Sequence, residues 1–231
     1  MVVLDDVSLK VNKGEKIVIF GRSGTGKSVL LKCIVRLLEP DNGDILIDGV
    51  NVFNISLKKL NEIRKQIGFL FQSSALYDSM SVRENLDFPL IRNFDFSPEE
   101  REEKIKTVLK DVALLDAIDK SPAELSGGMK KRIGLARTII TDPDLILYDE
   151  PTTGLDPITT REISELIVDL QKGSNSTSII VTHDLLCAKI IADYAVVLRD
   201  GKLRYQGSIK ELTSSRDPFL RDFFGTEVIQ A

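Results

Sequence analysis

Eight consecutive residues, Gly21-Arg22-Ser23-Gly24-Thr25-Gly26-Lys27-Ser28, combine glycines, a lysine and a hydroxyl in a set that suits phosphate chemistry. Glycines let backbone N–H groups converge on phosphate oxygens, Lys27 can reach the outer phosphates, and Ser28 can offer a hydroxyl to Mg²⁺. A second run, Leu145-Ile146-Leu147-Tyr148-Asp149-Glu150, sets four apolar or aromatic residues before two carboxylates. It reads as a buried strand that delivers both carboxylates to its C-terminal edge, where α/β sheets place their ligands. Asp149 would hold Mg²⁺ directly or through water, and Glu150 would polarise the water that attacks a γ-phosphate. The plainer reading of the pair is an acidic turn capping the next helix. Between the two runs, Leu125-Ser126-Gly127-Gly128 opens an amphipathic helix with Ile133, Leu135, Ala136 and Ile139 on its apolar side. A helix start is an anion site, and a second one beside a loop that already has Lys27 implies a nucleotide held between two subunits.

These groups need a sheet to position them. Lys16–Phe20 is a short apolar strand, and Leu30, Leu31, Ile34, Leu37 and Leu38 recur at helical spacing from Ser28 on, so the phosphate loop joins a strand to a helix. Upstream, Val7, Leu9 and Val11 alternate with polar residues as in a half-buried strand. Asp44–Ile47 and Ile67–Phe71 read as strands separated by the turn Asp48-Gly49 and a short helix at Leu57–Arg64 with a basic outer face. From Met80 to about Thr141 the pattern is helical, with Ser97-Pro98-Glu99-Glu100 as a start and Ile105, Val108, Leu109, Val112 and Leu115 at helical intervals. Strands return at Leu145–Tyr148, Ser178–Thr182 and Ala195–Leu198, with a helix at Ile158–Leu170, and this β-α-β alternation implies a parallel sheet. Asp200-Gly201 suggests a hairpin to Leu203–Gln206, followed by a short helix near Ile209–Leu212 and an apolar turn at Phe219, Leu220, Phe223 and Phe224.

With 231 residues, 42% hydrophobic and 29% charged, the chain can bury the core of one large α/β domain. A net charge of −4, with Lys and Arg scattered, gives no footprint for nucleic acid. No apolar run approaches the ~18–20 residues that cross a bilayer, and Asp5, Asp6 and Glu15 are unlike a signal peptide, so the chain is expected in the cytoplasm. Cys33 and Cys187 have no paired spacing and read as reduced core thiols.

Taken in order, the phosphate loop, Gln72, Leu125-Ser126-Gly127-Gly128, Asp149-Glu150, Asp156 within Gly154-Leu155-Asp156-Pro157, and His183 resemble the ATP-binding-cassette ATPases over roughly residues 2 to 212. The resemblance implies an α/β phosphate-loop NTPase fold with a mixed, mostly parallel core sheet, a small antiparallel β subdomain and an inserted helical subdomain. One cassette would occupy residues 1–231, with core at 1–78 and 133–231 and the helical part at about 79–132. It further implies ATP and Mg²⁺ as ligands and a head-to-tail pair of copies, in which the phosphate loop of one and Ser126–Gly128 of the other enclose each ATP. Gln72 would contact Mg²⁺ and the attacking water and relay nucleotide state to a membrane partner, and His183 would touch the γ-phosphate. By residue type alone, Gln72 is equally a surface glutamine ending a strand, and His183, the only histidine, a capping or core residue. Family members carry an adenine-stacking aromatic on a strand before the one with Val7. The sequence starts beyond that position, so either it is truncated at its N-terminus or adenine lacks that platform.

Several strings are similar to the ATPases of Mla/Mce-type phospholipid transport: Phe71-Gln72-Ser73-Ser74-Ala75-Leu76-Tyr77-Asp78-Ser79-Met80, Asn85-Leu86-Asp87-Phe88-Pro89-Leu90, Met129 after Gly128, Tyr148 before Asp149, and Asp156-Pro157-Ile158. The resemblance therefore implies an integral membrane permease, a lipid-binding Mce-type subunit, and a peripheral location on the cytoplasmic face of the inner membrane. Ala75, Leu76, Tyr77, Met80 and Val82, beside few charges, could form a groove for a short permease helix. Two other classes compete: a soluble cassette acting on ribosomes or DNA, and a regulator without turnover. The first resembles paired cassettes or cassettes split by a coiled coil; the second would lack Glu150 or Lys27.

Overall fold

The computed structural model describes residues 2–172, 174–192 and 194–228. The chain runs β1 (Lys16–Phe20), α1 (Lys27–Ile34), β2 (Leu46–Ile47), β3 (Val50–Asn51), α2 (Leu57–Lys65), β4 (Ile67–Leu70), α3 (Val82–Asn93), α4 (Pro98–Asp111) and α5 (Gly127–Ile139). It continues through β5 (Leu145–Asp149), α6 (Pro157–Leu170), β6 (Thr177–Thr182), α7 (Leu185–Ile191), β7 (Tyr194–Arg199), β8 (Lys202–Ser208), α8 (Ile209–Thr213) and α9 (Pro218–Val228). The main sheet has the order β4-β5-β6-β1-β7-β8, parallel from β4 to β7, with β8 antiparallel at the edge. The parallel core is buried on both faces, which is why β1 and β5 read as nearly continuous apolar runs and β6 carries Ile179, Ile180 and Val181 in succession. One face, with Phe20, Leu70, Ile146, Tyr148, Ile180 and Val197, packs the helices that follow β4. The opposite face, with Ile17, Ile19, Leu147, Val181 and Val196, packs α1 and the β2–β3 hairpin, whose turn places Asp48 and Gly49 at positive φ.

The connection from β4 to β5 is helical, as its periodicity predicts. Ser81 and Ser97 open α3 and α4 with reciprocal capping boxes, Ser81–Glu84 and Ser97–Glu100, and Pro98 stands in the first turn. Helix α5 then returns to the sheet so closely that a Cβ on Gly68 would lie 2.5 Å from the Thr138 carbonyl. Gly134 meets the loop after β4 in the same way, its Cβ position lying 2.9 Å from Ser74 Cβ.

Three expectations are corrected. Residues 7–11 alternate in exposure as a strand would, but they form no ladder; Val7, Leu9 and Val11 pack as irregular chain against the second face of the sheet. Helix α1 stops at Ile34, because Arg36 takes φ 52°, and Leu37 and Leu38 emerge 53% and 43% exposed. The apolar turn near Phe219 is helix α9, started by Pro218, and it belongs to the core: Phe223 and Phe224 meet the Phe20 ring edge-on at 6.1 and 5.1 Å. Among the described residues, no helix is long and apolar enough to cross a membrane. Cys33 and Cys187 are free and buried, and burial pushes the Cys187 thiol up to about 12.

Candidate functional site

The C-terminal ends of β1, β4, β5 and β6 lie side by side, and parallel pairing brings distant residues to one edge. The loop after β1 carries Gly21 to Lys27, with Gly24 and Gly26 at φ 81° and 99°, conformations that favour glycine. At Gly21 any side chain would strike Thr25 Oγ1 at 2.6 Å and the Leu198 carbonyl at 2.9 Å. Lys27 opens α1 but folds back under the loop, donating from Nζ to the Gly21 and Arg22 carbonyls at 2.6 and 3.3 Å. Its ammonium also faces Glu150 Oε1 at 3.1 Å, with both side chains less than a tenth exposed. Arg22, Ser23 and Gly24 are exposed at the loop's rim, and the Arg22 guanidinium reaches Asp222 of α9 at 2.7 Å.

Ser28 and Asp149, separated by 121 positions in sequence, meet: the Ser28 hydroxyl donates to Asp149 Oδ1 at 2.7 Å. Burial raises the Asp149 carboxyl above its ordinary range, opposed by the Ser28 hydrogen bond and reinforced by the Glu150 charge. A hydroxyl and a carboxylate converging beside a phosphate loop are the hard oxygen donors that Mg²⁺ prefers, so the residues present fit that ion. Glu150 sits just past the strand at φ 49°, its N–H donating to the Val181 carbonyl at 2.9 Å. Its Oε2 lies 2.9 Å from His183 Nδ1 and accepts from the His183 N–H at 3.3 Å and the Thr153 hydroxyl at 3.4 Å. Burial opposes ionisation of Glu150, but the His183 hydrogen bond and the Lys27 charge outweigh it and hold the carboxyl below its usual range. The site thus keeps Glu150 as a charged carboxylate.

Gln72 follows β4 at the same edge; it is exposed, and its main-chain carbonyl accepts from Lys131 Nζ. Ser126, Gly127 and Gly128 stand elsewhere, at the start of α5. Ser126 caps it by accepting from the Met129 N–H at 3.3 Å, a Cβ on Gly127 would meet nothing within 4 Å, and one on Gly128 would meet Thr159 Cγ2 at 3.3 Å. That helix start opens outward. Asp156, also exposed, caps α6, its carboxylate accepting from the Ile158 and Thr159 N–H groups at 3.0 Å and from the Thr159 hydroxyl at 2.6 Å. The sequence-predicted residues therefore fall into two groups: the phosphate loop, Asp149, Glu150 and His183 in direct contact, with Gln72 at the same edge, and Ser126–Gly128 beside Asp156.

Residues 4–153 match the ABC transporter family. The chain belongs to the ABC transporter family. It is similar to the intermembrane phospholipid transport system ATP-binding protein MlaF of Haemophilus influenzae, 44% identical over 94% of this chain and 82% of that protein. The Escherichia coli K12 MlaF is 39% identical over 96% and 82% of the two chains. The probable ribonucleotide transport ATP-binding protein mkl of Mycobacterium leprae is 41% identical over 96% of this chain, which spans 64% of that longer protein. Among solved structures, an ATP-binding cassette captured as a dimer after hydrolysis, with ADP and phosphate bound, superposes with a TM-score of 0.82 at 33% identity, covering 90% of each chain. The protein is accordingly an ATP-binding, ATP-hydrolysing cassette.

Sequence reasoning missed four side chains that hold the site in shape. Lys131 and Arg137 are not among the apolar residues read on α5, yet Lys131 is buried and Arg137 donates to the Ala75 and Ser74 carbonyls at 2.9 and 2.8 Å. Asn85, fully buried, accepts from the Tyr77 N–H and donates to the carbonyls of Tyr77, Met80 and Ser81, fixing the loop before α3. Its polarity at an apolar helical position was a readable signal. Thr153, hydrogen-bonded to Glu150, had none. Val82, expected to line a groove with Leu76 and Tyr77, is fully buried core because α3 turns it inward.

Proposed function

We propose that this cassette powers phospholipid transport through an integral membrane permease, with a lipid-binding Mce-type subunit in the same assembly, on the cytoplasmic face of the inner membrane. The reading rests on the division of the site. The phosphate loop and Glu150 form one half, whereas the Ser126–Gly128 helix start points away, with open space at Gly127 and with Ile158, next to the Thr159 that Gly128 faces, 74% exposed. A second copy placed head to tail supplies its helix start to each phosphate loop and covers that apolar residue. The division into a core at 1–78 and 133–231 and a helical subdomain at about 79–132 is part of the same reading.

In this reading Gly21–Ser28 cradles the ATP phosphates, and Lys27, turning from Glu150 to the outer phosphates, stabilises the transferring charge. Ser28 and Asp149, with Gln72, would hold Mg²⁺, which would supply neutralisation of phosphate charge. Glu150, held ionised, polarises the attacking water; His183, 2.9 Å from it, orients the carboxylate and faces the γ-phosphate. Asp156 and Ser126–Gly128 line the contact with the second copy. The surface at Tyr77, 46% exposed over Phe88, and Ile91, 59% exposed, would receive the permease helix. The MlaF relatives support the lipid substrate; the mkl relatives make a ribonucleotide the alternative to be tested.

The test is ATP hydrolysis by the chain beside Glu150→Gln, with sizing in ATP and Mg²⁺. Slowed turnover with an ATP-dependent dimer is the expected result; undiminished hydrolysis by Glu150→Gln would remove the water-polarising role. Stimulation by permease in phospholipid vesicles, with no response to added ribonucleotides, decides the substrate.

A further inference from the structure

Lys131 lies just beyond the first turn of α5 and is only 6% exposed, an unusual place for a lysine unless it is paired. Its Nζ donates to two main-chain carbonyls, those of Gln72 and, at 3.4 Å, Glu150. One ammonium thus joins the helix that presents Ser126–Gly128 to residues that follow β4 and β5. The same face of α5 grips this region twice more. Gly134 lets the helix approach Ser74 and Leu70, and Arg137 holds the Ser74 and Ala75 carbonyls. The gripped backbone is strained: Ser74, Ala75 and Glu150 take φ of 62°, 43° and 49°, values that L side chains rarely adopt. Burial pushes the Lys131 ammonium below its usual range, while the nearby Glu150 and Asp149 carboxylates favour its charge. Because both acceptors are main-chain atoms, any displacement of α5 along its axis pulls on the segments that carry Gln72 and Glu150.

We infer that Lys131 is a positioning residue that ties the helix presenting Ser126–Gly128 to the main chains of Gln72 and Glu150, so that seating of a second copy against that helix is transmitted to Glu150 of the same chain. The inference rests on the head-to-tail reading above. It assigns Lys131 no contact with nucleotide; its effect falls on turnover and on communication between the two sites.

The experiment compares the full chain with Lys131→Met and Lys131→Arg in ATP titrations with Mg²⁺, and sizes Lys131→Met in the Glu150→Gln background. Lys131→Met is expected to lose ~10²-fold in kcat, as small misplacements of catalytic groups do. Its KM for ATP should stay within about threefold of the parent. The Hill coefficient is expected to exceed 1 in the parent and to fall toward 1 in Lys131→Met, while Lys131→Met/Glu150→Gln still pairs in ATP. Lys131→Arg, whose fork can reach both carbonyls, should restore turnover. A kcat within about twofold of the parent overturns the inference. So does an unchanged Hill coefficient, or a joint loss of pairing and KM, which marks a merely structural lysine. If Lys131→Met does not fold, Lys131→Gln takes its place under the same criteria, and failure of both to fold also counts against the inference. Absence of an ATP-dependent dimer in Glu150→Gln itself sinks the head-to-tail reading instead.

Discussion

Replacing Lys27 by Met tests whether the Lys27–Glu150 pair is an energetic unit and not only a geometric one. Both side chains are less than a tenth exposed, and the ammonium faces Oε1 at 3.1 Å while also satisfying the Gly21 and Arg22 carbonyls. Removing one partner of a buried pair costs about 3–5 kcal/mol, because the other charge is left without compensation. Glu150 keeps His183 and Thr153 as hydrogen-bond partners, which places the expected loss near ~3 kcal/mol, the lower end of that range. For a chain of this length each kcal/mol moves the melting temperature by about 2–4 °C, so Lys27→Met should melt ~6–12 °C below the parent without nucleotide. Lys27→Met/Glu150→Gln, in which no charge is stranded, should recover more than half of that loss. Thermal unfolding of the four proteins in a double-mutant cycle measures the coupling. A Lys27→Met protein that melts with the parent, or a double variant as unstable as the two single losses added, would refute the reasoning.

Ser28→Ala removes one of the oxygens proposed to hold Mg²⁺ and should raise the Mg²⁺ needed for half-maximal hydrolysis by about 10–100-fold, read by metal titration at saturating ATP. The pH dependence of stability has a definite sign: Glu150 is held below its unfolded value of ~4.3, so its contribution is present above that pH and fades as pH falls through the lower folded value. The melting deficit of Glu150→Gln should therefore be largest near neutrality and shrink below pH ~4, which melting curves across pH will show. Phe224→Ala should cost about 3–5 kcal/mol by leaving a cavity against Phe20 and Phe223; a denaturant midpoint equal to the parent's would mean that α9 does not belong to the core.

The chemistry-bearing runs were legible because each combines residue types that ordinary packing does not require. Glycines beside Lys27, and carboxylates at the end of the apolar run into Asp149, point to a sheet edge before any contact is known. Spacing did not reveal where α1 ends, because the break at Arg36 is a single backbone torsion. Helix α9 was present in the sequence as Pro218 followed by apolar residues at i and i+4, a signature that a short segment shares with a packed turn. The Ser28–Asp149 and Lys131–Glu150 contacts span 121 and 19 positions and exist only once β1, β5 and α5 are assembled. Lys131 in particular looks like a solvated helix residue, since burial of a lysine is decided by what packs over it and not by its neighbours in sequence.

The central claim is that each ATP is enclosed by the phosphate loop of one copy and the Ser126–Gly128 helix start of another. Mixing two inactive chains tests it most directly: Lys27→Ala, which keeps an intact helix start, and Gly127→Asp, which keeps an intact phosphate loop. The account predicts that each alone fails to hydrolyse ATP and that an equimolar mixture regains activity, because a mixed pair contains one complete composite site. A mixture that stays inactive while both variants are fully folded at the assay temperature, or Gly127→Asp hydrolysing ATP at the parental rate alone, would contradict it.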